Sequence, residues 1–256
     1  PEACADAMRA YFDWRTPADQ GGGRTDDLKA AAVVLSKYAG QAFDEAMSLE
    51  LFSALGIPVA PHAVIGAGGD TPGVVFPVAV KALSADLPHK TEAGAVQLGI
   101  ADDVALRAAI ARIAANVGRY LPKIRIDRYL VQSMARGVGE VLVGFRIDPQ
   151  VGPVVVLAPG GVLAELYGDS AIRLAPVDAK EARRMIDQVT GLAPLRGYRN
   201  LPKGDLAALA DVIVRLSRLA LLDAPPVEAE INPLIVGAEG TGVTAVDGLV
   251  ITRGKL

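Results

Sequence analysis

Apolar positions along the chain change their period several times, and each change marks an element. Phe43, Met47, Leu51 and Leu55 recur every four residues, the spacing of an amphipathic helix, and Gly56 stands where that helix would stop. The stretch 57–65 reads as a strand, a glycine turn at 66–69 leads to a second strand over 74–83, and 84–94 is a polar, aperiodic loop between strands. Asp102 is placed to cap a helix over 103–117, and β-rich runs at 126–134 and 140–147 follow, joined by a glycine-containing turn. After a turn at 148–153 comes a buried strand at 154–157. Helices are predicted at 178–189 and 205–222, the second with Leu206, Leu209, Ile213, Leu216 and Ala220 as its buried stripe. Strands at 227–236 and 243–251 close the pattern. Helices and strands alternate irregularly and neighbouring strands are joined by tight turns. This predicts an α+β protein of two α/β lobes with a cleft between them, not one doubly wound parallel sheet.

Ahead of this pattern the chain reads differently. Residues 1–15 look like the end of a helix, and 16–25 (TPADQGGGRT) combine a proline, three consecutive glycines and no apolar anchor. That is linker composition, so a domain boundary is expected there, with 26–256 forming the main domain. Beginning at Pro1 and not Met, the sequence is expected to start inside a longer polypeptide.

Composition narrows the function classes. With 256 residues, 51% of them hydrophobic, the chain can fill real cores. Its 26 Lys+Arg are scattered and its net charge is −3, so the footprint of a nucleic-acid binder is missing. Cys4 is the one cysteine; it can form no intramolecular disulfide and has no Cys or His neighbours for a zinc site. The apolar runs at 74–80 and 154–158 are far shorter than the ~20 residues that span a bilayer, and no signal segment opens the chain. A cytoplasmic protein without membrane contact is the expectation.

Several residues could carry chemistry. In Glu230-Ile231-Asn232-Pro233-Leu234, strand alternation puts Glu230 and Asn232 on one face and Ile231 on the other. Together with Asp247 on the next strand they form a set of hard oxygen ligands suited to Mg²⁺, or else simply a solvated strand face. Lys81 closes the apolar run PVAVK, where an ammonium can meet phosphate oxygens or merely decorate the surface. Arg173 could hold a phosphate through its fork of donors, or form a surface ion pair for which Asp169 is one candidate. His89 lies in the polar 84–94 loop as an accessible nucleophile or proton carrier, whereas His62 is better explained as strand decoration. Gly160-Gly161 would let backbone approach a ligand but fits neither the P-loop nor the dinucleotide GxGxxG pattern.

Read in order, these pieces resemble the ATP-grasp domain of NDP-forming acyl-CoA synthetases, relatives of the succinyl-CoA synthetase β subunit, from about Phe43 to Ile251. The resemblance is carried by FPVAVKALSADLPHKTEAGAVQLGI at 76–100, by GVGEVLVGFRIDPQVGPVVVLAPGGVLAEL at 137–166, by RLAP at 173–176 and GYR at 197–199, and by EINPLIV followed by AVDGLV. It implies an ATP-grasp fold whose cleft binds ATP or ADP with Mg²⁺. Lys81 would contact the nucleotide phosphates, the strand Val131-Gln132-Ser133-Met134 would lie by the adenine, and Glu140 would face the ribose. Asn232 and Asp247 occupy the positions of the family's Mg²⁺ ligands, with Glu230 supporting them, and Arg173 becomes a phosphate-handling candidate. His89 is similar to the histidine proposed in ADP-forming relatives to relay phosphate to a phosphohistidine on the CoA-binding half. That half, in cis or as a separate subunit, is the implied partner, and 1–15 resemble the tail of the domain that precedes ATP-grasp in fused members. The chain departs from the pattern at Ala158-Pro159-Gly160-Gly161, at Ser133 where Glu is common, at Ala95, and at Gly248, where Ala is usual. Two other readings stay open: a non-catalytic regulatory module of a fused protein acetyltransferase, and a carboxylate–amine ligase that needs no histidine.

Overall fold

The computed structural model describes residues 25–68, 73–84, 87, 90, 92–123, 125–160 and 168–253; expectations placed on 1–24, on His89 and on Gly161 lie outside them. Two antiparallel sheets organise the chain. The smaller has the order β1-β4-β2-β3, built from β1 (His62–Gly66), β2 (Val78–Ala82), β3 (Val96–Ile100) and β4 (Arg128–Ser133). Between β3 and β4 runs α3 (Asp103–Tyr120), whose Leu106, Ala109, Ile110, Ile113 and Val117 bury Val78, Val80, Ala82, Tyr129 and Val131.

The larger sheet has the order β10-β8-β5-β6-β7. Its strands are β5 (Gly139–Asp148), β6 (Gly152–Pro159), β7 (Ala171–Leu174), β8 (Glu228–Val236) and β10 (Gly248–Ile251), with β9 (Val243–Ala245) also pairing with β8. Its covered face packs Val143, Phe145, Val155, Leu157 and Ile231 against α4 (Ala179–Gln188) and α5 (Leu206–Ser217). The same core takes in α1 (Thr25–Lys37) and α2 (Glu45–Ala54) through Ala31, Val34, Leu49, Leu51 and Phe52. The expected α+β architecture of two lobes is therefore present. No helix among the described residues is long and apolar enough to cross a membrane.

Aspartates start the helices. Asp102 accepts from Ala105 N at 2.8 Å as predicted, and Asp44, Asp178 and Asp205 do the same for α2, α4 and α5. The stop at Gly56 is also real: its φ of +73° suits glycine, and Arg215 of α5 fills the space beside it while donating to Leu55 O.

Where the pattern misled, pairing partners explain why. The expected strand 57–65 serves two sheets: Val59 bridges Ala245 of the larger sheet, and regular pairing with β4 begins only at His62. Alternation along a segment says nothing about which strand it will join. The run 74–83 pairs only from Val78, and β3 and β7 carry polar or glycine residues that hid them. The turn expected at 148–153 is shorter, because Asp148 Oδ1 gathers the N–H groups of Gln150 and Val151 and β6 starts at Gly152. The helix expected over 205–222 tightens into a 3-10 turn after Ser217, whose hydroxyl donates back to Val214 O and accepts from Val177 N.

The expected strand 243–251 is broken at Val246-Asp247, opposite an irregularity in β8. Val143 pairs with Ile231 but Val141 with Leu234, so β8 carries one extra residue at Asn232-Pro233. The break and the bulge are joined by two long bonds of 3.3 Å, Asn232 N to Asp247 O and Val246 N to Pro233 O. Just after the break, Gly248 lies under Phe52, and a Cβ there would collide with the edge of that fully buried ring.

Two outcomes follow from these contacts. Gly248→Ala should destabilise the protein by about 1–3 kcal/mol through overpacking, read as a lower Tm; unchanged stability would mean that Phe52 yields. Hydrogen bonds from Ala208 N and then Gly242 N hold the Asp205 carboxyl below its ordinary value. The stability it supplies is present above the usual carboxylate range and lost as pH falls through that range. Asp205→Ala should therefore cost about 1–2 kcal/mol at neutral pH, with the gap to wild type closing below about pH 4 in denaturant titrations.

Candidate functional site

The bulge in β8 and the break between β9 and β10 create the candidate site. Glu230 pairs with Gly144 and lies on the uncovered face of the larger sheet, beside Leu142, Arg146, Val156 and Glu228 around a cavity of about 210 Å³. The extra residue at Asn232-Pro233 reverses the alternation that follows, so Leu234 and Val236 turn into the core while Ile235 lines a separate cavity. Asn232 Nδ2 donates to Glu230 Oε1 at 3.3 Å, which leaves the amide oxygen as an acceptor, and the Asn232 backbone meets Asp247. The three predicted metal ligands are thus adjacent. Among the described residues no three His, Cys, Asp or Glu side chains form a metal-sized cluster. A cation here would take at most two carboxylates and one amide oxygen from the protein and its other positions from phosphate and water. That is a donor set Mg²⁺ accepts.

Lys81 reaches this group from the smaller sheet. It is not surface decoration: its side chain is 7% exposed, and its Nζ donates to Glu45 Oε1 at 2.5 Å and to Val246 O at 2.7 Å, with Asp247 Oδ2 at 3.5 Å. The broken strand is what offers the Val246 carbonyl. Glu45 is wholly buried, and its second oxygen accepts from Lys90 Nζ at 2.6 Å. Taking a carboxylate out of water costs on the order of several kcal/mol unless cations and hydrogen bonds replace the water, and here two ammonium groups do so. Burial first, and then the Glu45 charge, push the Asp247 carboxyl above its ordinary value, against the pull of Lys81 and Lys90.

Sequence reasoning missed Glu45 and did not assign Lys90 a role. The available signal was FDEAM, an aspartate cap followed by an acid in the first helical turn, which by itself reads as ordinary helix chemistry. Asp44 ties in the same lobe from the other side, accepting from Arg128 Nη2 at 2.6 Å.

The remaining candidates divide. In the quartet 131–134 only alternate residues share a face. The Val131 side chain is packed against α3 in the core of the smaller lobe, as strand alternation requires. Gln132 pairs with Ala79 on the face that also carries Lys81; it is 2% exposed, and its Nε2 has no hydrogen-bond partner among the described residues. Ser133 Oγ donates to Val75 O, and Met134 is exposed with its N–H donated to Pro77 O. Glu140 is exposed and lines a cavity of about 520 Å³ with Ala135, Arg136, Gly137, Val138, Gly139 and Ile235. Gly160 needs its missing Cβ for the protein itself, since a Cβ would lie 2.8 Å from the carbonyl carbon of Glu140, and Gly160 N donates to that carbonyl.

Arg173 stands apart. It pairs with Val155, a core residue, so it lies on the helix-covered face, opposite Glu230. Its guanidinium donates to Glu181 Oε1 at 2.7 Å, Gln188 Oε1 at 2.8 Å and Ile172 O at 2.9 Å. The expected partner Asp169 instead accepts from Thr190 N and Gly191 N. The structure gathers Lys81, Glu230, Asn232 and Asp247 and leaves Arg173 out.

Known proteins resemble this chain in sequence and in fold. A family model described as the ATP-grasp domain matches residues 35–251. ADP-forming acetate–CoA ligase I of Archaeoglobus fulgidus is 35% identical over 202 residues, 77% of this chain and 29% of that protein. The β subunit of ADP-forming acetate–CoA ligase I of Pyrococcus furiosus is 34% identical over 177 residues, 69% of this chain and 75% of the subunit. This chain thus spans under a third of the length of the longer relative and matches most of the separate subunit. A solved structure of dinucleotide-forming acetyl-coenzyme A synthetase 1 of Ca. Korarchaeum cryptofilum holds coenzyme A and Mg-AMPPCP, with a phosphohistidine segment pointing towards its nucleotide-binding site. It aligns with a TM-score of 0.72 at 27% identity, covering 89% of this chain and all of that one. With two antiparallel sheets, a buried strand lysine and an acid–amide pair on the bulged strand, this chain belongs to the ATP-grasp family, among the β-subunit domains of ADP-forming acyl-CoA synthetases.

Proposed function

We propose that this chain is the nucleotide-handling part of an ADP-forming acyl-CoA synthetase, working with a CoA-binding half in cis or in trans. One observation carries the reading: the Lys81 ammonium is buried between Glu45 and Asp247, beside the Glu230–Asn232 pair. A fixed positive charge and a hard-oxygen corner thus face the same space, which suits a nucleotide di- or triphosphate with Mg²⁺. The Mg-AMPPCP complex of the Korarchaeum relative supports that choice. When bound, the ion would neutralise charge on the phosphoryl group in transit.

The overall reaction is acyl-CoA + ADP + phosphate ⇌ acid + CoA + ATP. Phosphate displaces CoA to give acyl phosphate, a histidine of the CoA-binding half takes the phosphoryl group as the acid leaves, and His89 receives it as that P–N bond breaks. The P–N bond to His89 then breaks while a P–O bond to the terminal oxygen of ADP forms. Lys81 holds the nucleotide phosphates, Glu230, Asn232 and Asp247 hold the cation, and Glu140, Ser133 and Met134 border the nucleoside end. Gln132 adds a buried donor whose missing partner a nucleotide acceptor would supply. His89 is assigned the relay on its sequence resemblance.

Incubation with γ-labelled ATP and Mg²⁺ should load acid-labile, base-stable phosphate onto the protein, and His89→Ala should abolish the label. A variant that labels like wild type removes the relay; nucleotide binding without label in any form favours a regulatory module. Lys81→Met should raise the Kd for Mg-ATP at least tenfold in calorimetry, a loss of about 1.4 kcal/mol. An unchanged Kd would move the phosphates elsewhere.

A further inference from the structure

Glu45 has no place in the reaction as written, yet it is the most completely enclosed charge of the cleft. Its side chain has no exposed surface, it is the first residue of α2, and each of its oxygens holds a different lysine. Lys81 belongs to β2, and Lys90 follows that strand in the loop over 84–94. The Lys90 backbone is also tied to the sheet, with Ala95 N donating to Lys90 O and Ala82 N donating to Ala95 O. The carboxylate therefore fixes the spacing between the strand lysine and the loop lysine. Meanwhile α2 is itself fixed to the larger lobe by Leu49, Leu51 and Phe52.

We propose that Glu45 is a positioning residue for phosphoryl transfer, setting Lys81 and Lys90 at the correct distance from the nucleotide phosphates. This rests on the reading of the cleft given above. The chemistry of the bridge is selective. A carboxylate offers two acceptors to two ammonium donors, whereas glutamine offers one acceptor and turns an N–H₂ donor towards the second lysine. Glu45→Gln thus keeps the shape and releases one arm of the bridge. The remaining positive charge has lost a competitor for phosphate, so nucleotide binding is not weakened even though the geometry of transfer is.

The test compares full-length wild type, Glu45→Gln, Lys90→Met and the double variant by the initial rate of phosphate labelling from γ-labelled ATP with Mg²⁺, normalised to folded protein. Each single variant should label at least tenfold more slowly at saturating ATP, and Glu45→Gln should do so with a KM for ATP equal to or below that of wild type. The double variant should be no slower than the worse single one, because both substitutions open the same bridge. A purely structural Glu45 would lower Tm and leave the rate per folded molecule within threefold of wild type, which overturns the proposal, as would single effects that multiply in the double variant. Lys90 is partly exposed at 22%, so Lys90→Met remains a valid test should Glu45→Gln fail to fold. Wild-type protein that takes no label refutes the cleft reading and this inference with it; labelling by wild type and all variants alike refutes this inference only.

Discussion

A carboxylate enclosed by protein must find its counter-charges there, and Glu45 finds them on two separate stretches of chain, the strand that carries Lys81 and the loop that carries Lys90. Most of the cleft depends on that arrangement. The helix that begins at Glu45 is packed into the larger lobe through its apolar side, while its first turn grips the smaller lobe through Glu45 to Lys81 and Asp44 to Arg128. Removing one partner of such a buried pair typically costs about 3–5 kcal/mol. One short helix end thus sets how the two sheets present their functional groups to each other.

The second constraint is geometric. A regular β8 with a continuous partner strand would bury or expose its side chains by simple alternation, and it would leave no carbonyl for Lys81. The extra residue at Asn232-Pro233 and the facing break at Val246-Asp247 turn one stretch of ladder into a corner with carboxylate, amide and carbonyl oxygens. The bulge also sends Ile235, not Leu234, towards the cavity that Glu140 lines. Gly248 is the packing consequence, since the chain leaving this corner passes directly under Phe52.

The nucleotide reading draws together features that would be weak apart. A buried lysine, an acid–amide pair and an unpartnered glutamine donor each have ordinary structural explanations. Here Lys81 meets Asp247, Asp247 meets Asn232, and Gln132 shares the face of Lys81, in a chain aligned at a TM-score of 0.72 with a relative that holds Mg-AMPPCP. Arg173 lies on the other face of the sheet, where its guanidinium donates to Glu181 and Gln188.

By itself the sequence determined the helices with aspartate caps, the strand carrying Glu230 and Asn232 on one face, the α+β class and the ordered motifs that identify the family. Those features are local, written in period, cap chemistry and short spacings, so no distant partner is needed to read them. Only the tertiary structure decided that Lys81 is buried, that Glu45 and Lys90 belong beside it, that Val131 faces the core and that Arg173 lies on the helix side. It also decided that 57–65 is shared between two sheets and that 243–251 breaks at Asp247. Each of these depends on which residues distant in sequence come to lie within a few ångströms, and the pairing of Glu45 with Lys81 joins residues 36 positions apart that no periodicity connects.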